Sequence, residues 1–189
     1  MRVLRVLMNS LEIEMDKEKW LRERPSFRSL VGKTNLIGVE IGVDSGLNAV
    51  NILTHLDIKK LYLIDPWVHY GGMSGHGAMS PEDAVEKCYE HTVKITEQFK
   101  DKVVIIRDFS SDVVGDIPNN LNFVYIDGNH RFEYVLQDIE NYLPKITSNG
   151  QIAGHDFKSG ELGVVNAVKE LFGNKYRQDT WDWWYSNEA

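Results

Sequence analysis

The chain has 189 residues, 42% of them apolar and 26% charged, a balance that suits one globular domain and excludes a disordered chain; two separate cores would each lie near the lower limit of unaided stability. Its formal net charge of −7 repels polyanions, so neither nucleic acid nor an acidic membrane is the expected partner, and a small molecule is. The single Cys88 excludes an intrachain disulfide framework and a CxxC metal site, as a reduced, cytoplasmic protein permits.

At the amino end, the apolar run Val3, Leu4, Val6, Leu7 and Met8 is broken by Arg5 and is too short for a signal peptide or a membrane span. The charged stretch Met15 to Leu30 predicts a helix that packs Trp20 and Leu21 on the domain and is interrupted or ended by Pro25, whose ring clashes with a continuing helix. Residues 1–33 are thus an amino-terminal helical extension with no chemistry assigned to it, available to a homodimer contact, and residues 34–189 hold the core. Short apolar runs at Leu36 to Ile41, Leu61 to Asp65, Val103 to Arg107, Phe123 to Asp127 and Gln151 to His155 read as parallel strands covered on both faces.

Helices alternate with these runs. One spans Leu47 to Leu56, one carries Ala84, Val85, Cys88, Ile95 and Phe99 at helical spacing, and one spans Phe132 to Leu143. Trp181 to Tyr185 alternates as a last strand, with Trp183 and Tyr185 on one face and Trp184 on the other. The order is that of an α/β, doubly wound, mostly parallel sheet.

The first strand runs into GVEIGVDSGLN, residues 38–48, with Gly42 and Gly46 in the turn before the helix. Glycines there let a ligand approach the backbone, and the helix start offers free N–H groups. The dinucleotide fingerprint GxGxxG is missing, and Asp44 inside the turn would repel a pyrophosphate. A ligand without phosphate, carrying an ammonium, suits Glu40 and Asp44 better. Asp65 ends the second strand 19 residues after Gly46, close to the roughly 20 expected of an acid that receives ribose hydroxyls. The alternative reading makes the glycines a tight turn and Asp65 a cap before Pro66.

VEIGVDSG, LYLIDPW, VYIDGNH and NGQIAGHDF together resemble class I S-adenosylmethionine-dependent methyltransferases, and within them the small macrocin-type sugar and macrolide O-methyltransferases, over Leu36 to Tyr185. The resemblance implies a Rossmann-like sheet of seven strands with an antiparallel last strand. It places Gly42 and Glu40 against the methionine part of the cofactor, Asp65 against the ribose, and Asp108 with Phe109 beside the adenine, and it counts Asp44, Gly46 and Asp127 among the cofactor-binding residues. Trp67 either packs near the adenine or anchors its loop. The acceptor it implies is a small hydroxylated molecule, a sugar or secondary metabolite.

Asp127, Asn129 and His130 follow the fourth strand, and His155 and Asp156 the fifth, at the sheet edge where doubly wound folds bind ligands. Asp127, His155 and Asp156 are a candidate divalent-metal set. Asp127 and Asp156 keep the pattern of metal-dependent O-methyltransferases, whereas His155 departs from it, because Mg²⁺ prefers oxygen donors and imidazole suits Mn²⁺, Fe²⁺ or Zn²⁺. The alternative is that His155 and Asp156 cap the strand end. Some relatives carry a base where this chain has Asn129, which has no titratable proton, so His130, paired with Asp127, is the candidate base. A structural histidine at the start of the helix is its rival. The glycine-rich loop Trp67 to Pro81 is expected over the cleft as a lid, or as an untethered surface loop. Two further readings of the whole are a nicotinamide-dependent oxidoreductase and a catalytically silent cofactor-binding module.

Overall fold

The computed structural model describes residues 15–69 and 80–187. Most of the loop expected over the cleft, residues 70–79, lies outside them. Seven strands, β1 (Leu36–Ile41), β2 (Ile58–Ile64), β3 (Val103–Ile106), β4 (Leu121–Ile126), β5 (Ile146–Gly154), β6 (Arg177–Asp179) and β7 (Asp182–Ser186), form one sheet in the order β3-β2-β1-β4-β5-β7-β6. The pairings among β1 to β5 are parallel, and β7 runs antiparallel to both β5 and β6. Strand order reverses between β1 and β4, so the carboxyl ends of these two neighbours open a crevice, as doubly wound sheets do at a switch point.

The helices are α1 (Lys17–Glu23), α2 (Leu47–His55), α3 (Pro81–Thr96), α4 (Phe132–Tyr142) and α5 (Leu162–Phe172). Period-two alternation in the strands feeds a core on each face. Val39, Ile41, Val124, Ile126 and Ile152 pack with Val135 and Ile139 of α4 and Val164 and Val168 of α5. On the other face Leu61, Leu63, Phe123 and Tyr125 pack with Ile52 of α2, Cys88 of α3 and Trp20 of α1. Trp183 and Tyr185 join the first core and Trp184 borders the second, as the alternation at the carboxyl end predicts. No helix among the described residues is long and apolar enough to cross a membrane.

Three differences from the sequence reading have physical causes. β2 begins at Ile58, because backbone pairing with Leu36 tolerates the intervening Lys59 and Lys60. Strand β6 was not anticipated: all three of its residues are exposed, so it carries no apolar signal. Trp181 lies outside β7, half exposed in the β6–β7 turn.

The helix predicted over Met15 to Leu30 ends at Glu23, and Pro25 begins a 3₁₀ turn, Pro25–Leu30. Trp20 is fully buried, stacks on Phe27 at 4.9 Å, and donates its indole N–H to Asn48 at 3.0 Å. The Ser26 backbone N–H and hydroxyl both donate to Asp182 on β7, which also accepts from the Tyr125 hydroxyl at 2.9 Å. Gln151 on β5 donates to the Ser26 carbonyl and accepts from Ser29. Burial raises the Asp182 carboxyl to about 6. The segment is stitched to β4, β5 and β7 by a buried network whose members are all paired, the condition under which such networks fix one conformation.

Candidate active site

β1 delivers the chain into the glycine turn. Gly42 has φ +82°, and a Cβ there would lie 2.3 Å from the carbonyl oxygen of Asp127. Gly46, at φ +77°, begins α2, and its Cβ would meet Thr92 of α3 at 2.9 Å. The missing side chains therefore make room for β4 and α3, and Gly42 stands on the cleft wall as well. Asp65, at the end of β2, reaches back to this turn: one oxygen accepts from the N–H groups of Val43 and Asp44 at 2.8 and 3.0 Å, and the other from Trp67 N–H at 2.8 Å. Burial raises the Asp65 carboxyl against these three bonds. Trp67 donates its indole N–H to the Asp44 carbonyl at 2.8 Å, which seats it on the turn.

The crevice is a cleft of about 860 Å³, within the usual size of small-molecule sites. Glu40, Gly42, Asp44, Asp65, Trp67, Phe109 and Asp127 all stand on its wall, so the first turn and the acid one strand away face one cavity. Gly46 and Asp108 do not stand on it. Gly46 is turned toward Thr92, and the exposed Asp108 accepts from the Phe109 N–H at 2.8 Å, shaping the loop after β3. Several wall residues escaped the sequence reading, Asp138 and Arg24 among them. Asp138 of α4 accepts from Ser110 at 2.5 Å and is raised to about 6 by burial; it holds that loop in place. Arg24 comes from the segment to which no chemistry was assigned.

Glu40 is fully buried at the cleft floor. One of its oxygens accepts from the Asn48 amide at 2.9 Å; the other has no partner. Burial, with Asp127 adding, pushes its carboxyl up to about 8 although the Asn48 bond opposes. Nothing in its sequence context beyond the turn announces this, because a strand-end acid is as often solvated.

At the other end of the cleft, His130 is caught among three carboxylates. Its Nε2 lies 3.3 Å from Asp156 and 3.8 Å from Asp127, and its Nδ1 lies 3.3 Å from Glu161. Asp127 first, then Asp156 and Glu161, raise its pKa above the ordinary imidazole value while burial opposes. The site of Glu161 follows from Gly163: a Cβ there would be 2.1 Å from the His130 carbonyl, so only glycine lets the start of α5 close on the histidine. His155, which bears on Asp156 at 3.4 Å and Asp127 at 3.8 Å, backs the two acids. Asn129 accepts from the Arg131 N–H at 3.0 Å and holds the turn.

Asp127, His130 and Asp156 each offer a ligand atom, all within 4.8 Å of one another; His130 takes the place expected of His155. Their surroundings do not fit a resident divalent cation. The Lys158 ammonium already sits on Asp156, and the Arg24 guanidinium lies 3.9 Å from Asp127. Hydrogen bonds from His155 and Lys158 hold Asp156 ionised to low pH against the opposing effect of burial. Protein cations thus compensate both carboxylates, and an ion would have to displace Lys158.

A doubly wound sheet whose acid-terminated second strand closes on the glycine turn beside the switch-point cleft is the arrangement of a class I, S-adenosylmethionine-dependent methyltransferase. A family model, Methyltransferase domain, matches residues 39–157, more than half of the chain, and the chain belongs to that methyltransferase family. A putative methyltransferase from Streptococcus mutans, SMU.1697c, solved in complex with SAH, superimposes with a TM-score of 0.60 at 19% identity, covering 84% of this chain and 92% of that one. The O-methyltransferase NovP gives 0.60 at 16% identity, covering 92% and 79%. CalS11, a TDP-rhamnose 3'-O-methyltransferase of calicheamicin biosynthesis, gives 0.59 at 15%, covering 98% and 91%. At these identities the likeness is one of fold. An uncharacterized protein of Acanthamoeba polyphaga mimivirus, R132, is 26% identical over 146 residues, and the chain spans 60% of the length of that curated relative.

Proposed function

We propose that the chain methylates a hydroxyl of a small acceptor, a sugar or a secondary metabolite, with His130 as the proton acceptor. The observation that carries this is the placing of a partly buried imidazole, ringed by Asp127, Asp156 and Glu161, past the end of β4 on the wall of the cavity that Asp65 lines from the end of β2. S-Adenosylmethionine, when bound, supplies an electrophilic methyl group on sulfonium. The chain's own residues hold and orient. Of the roughly four acceptor positions on a carboxylate, the three backbone bonds to Asp65 leave about one, enough for one ribose hydroxyl. The unpartnered oxygen of Glu40 suits the ammonium of the amino-acid end.

An acceptor hydroxyl lying against His130 would lose its proton to the imidazole as its oxygen takes the methyl group, the carbon–sulfur bond breaking with its electron pair left on the sulfur of S-adenosylhomocysteine. The surrounding carboxylates stabilise the resulting imidazolium, and positioning supplies much of the remaining rate. Lys158 keeps Asp156 charge-compensated meanwhile. No metal ion enters this scheme. That the O-methyltransferases NovP and CalS11 share the fold supports oxygen as the nucleophile.

The test is release of S-adenosylhomocysteine from S-adenosylmethionine across a panel of hydroxylated, amine and thiol acceptors. We expect turnover with one hydroxylated class, unchanged by a chelator. Turnover confined to amines or thiols would overturn the oxygen assignment, and a chelator that abolishes it would overturn the metal-free scheme.

A further inference from the structure

Among the described residues, two buried side-chain polar atoms lack any hydrogen-bond partner: Arg24 Nε and Glu40 Oε2. Both residues stand on the wall of the same cleft. We infer that Arg24, delivered from the amino-terminal segment, is the receptor for the carboxylate of the cofactor's amino-acid end, opposite Glu40 as receptor for its ammonium. The inference rests on the cofactor assigned above and names a residue that lies outside the family-matched span of 39–157.

Arg24 is not used up by its protein contacts. One terminal nitrogen donates to the Glu23 carbonyl at 3.2 Å, the other lies 3.9 Å from Asp127, and Nε donates to nothing. A guanidinium has five N–H donors in a planar fork suited to a carboxylate, and leaving them unmet in a largely buried site is costly. Nor does the arginine neutralise Glu40 directly: the two make no ion pair, although each feels the other's charge. A buried guanidinium and a buried carboxyl, each with an open hydrogen-bonding position, complement the two ends of a zwitterion, whose ammonium would draw the Glu40 carboxyl into its ionised form.

The backbone holds this arrangement. Arg24 N–H donates to the Trp20 carbonyl at 2.7 Å, Trp20 is locked by Asn48 of the glycine-turn helix, and Ser26, two residues on, is fixed by Asp182. The backbone from which the guanidinium reaches the cleft is therefore held in place.

The experiment compares calorimetric binding of S-adenosylmethionine and of its decarboxylated form, which keeps the ammonium and lacks the carboxylate, to the full-length wild type, Arg24→Gln and Arg24→Lys, with folding checked by thermal melting. The wild type should prefer the carboxylated ligand by about ten- to a hundredfold, the range of a charge-assisted pair. Arg24→Gln should erase that preference while holding the decarboxylated ligand within about twofold of wild type, and Arg24→Lys should keep part of it. Equal loss of both ligands in Arg24→Gln, or retention of the full preference, overturns the inference and leaves the cofactor assignment standing. A wild type that binds neither ligand overturns both.

Discussion

The two ends of the cleft are built on different physics. At the Asp65 end, a carboxylate accepts three backbone N–H groups, and glycine lets β4 close on the turn; shape is set by main chain gathered on one acid. At the His130 end, side chains hold one another: an imidazole, three carboxylates, an ammonium and a guanidinium within ion-pair reach. A backbone cradle suits a ligand that must lie in one register, and an ion-paired cluster suits a proton that must move. Glu40 stands between the regimes, buried like the first and titratable like the second.

The sharpest test of this contrast is His130→Gln. Turnover should fall by about a hundredfold to ten-thousandfold, the usual worth of a general base, with calorimetric affinity for S-adenosylhomocysteine unchanged; a parallel loss of binding would show that the two ends are not separable. Next comes Asp65→Ala, which removes the acceptor of three N–H groups as well as the proposed ribose contact. Affinity for S-adenosylhomocysteine should drop about ten- to a hundredfold and the melting temperature should fall, whereas unchanged affinity would place the ribose elsewhere.

A smaller effect is expected from Asp127→Asn. Asp127 raises the His130 pKa and the base works only when neutral, so the rate falls as pH drops through that raised value. Removing the charge should move this limb of the pH profile to lower pH, and an unmoved limb would mean that another group limits the rate. Smallest is Glu40→Gln in the ligand-free protein. The folded-state value of Glu40, about 8, lies above its ordinary 4.5, so its stabilising contribution is complete below about 4.5 and is lost as pH rises through 8. The glutamine variant should lack that decline and melt a few degrees higher at neutral pH, while binding S-adenosylmethionine less tightly. A melting profile parallel to wild type across this range would mean that Glu40 is ionised in the folded protein.

Much of the fold is legible in local sequence pattern. The apolar runs that became β1, β3 and β4, the helices from Leu47 and Phe132, and the two faces of Trp183 and Trp184 follow from local periodicity. Asp65 stood out by its distance from Gly46. Other features left no trace in the sequence: β6 has no buried residue to mark it, Asp108 and Gly46 look like site residues yet stay off the cleft wall, and Arg24 sits in a charged stretch where nothing sets it apart from Arg22 and Arg28.

What the sequence by itself determined is the order of strands and helices and the position of the first turn, because hydrophobic periodicity and turn chemistry act between near neighbours along the chain. Tertiary structure alone decided which charges meet: that His130 faces Asp156 and Glu161, that Lys158 covers Asp156, and that Arg24 and Glu40 enter one cavity. Coulombic and hydrogen-bond energies depend on distance in space, and that distance exists only once the sheet has brought the far-separated ends of β1, β4 and β5 to a common edge.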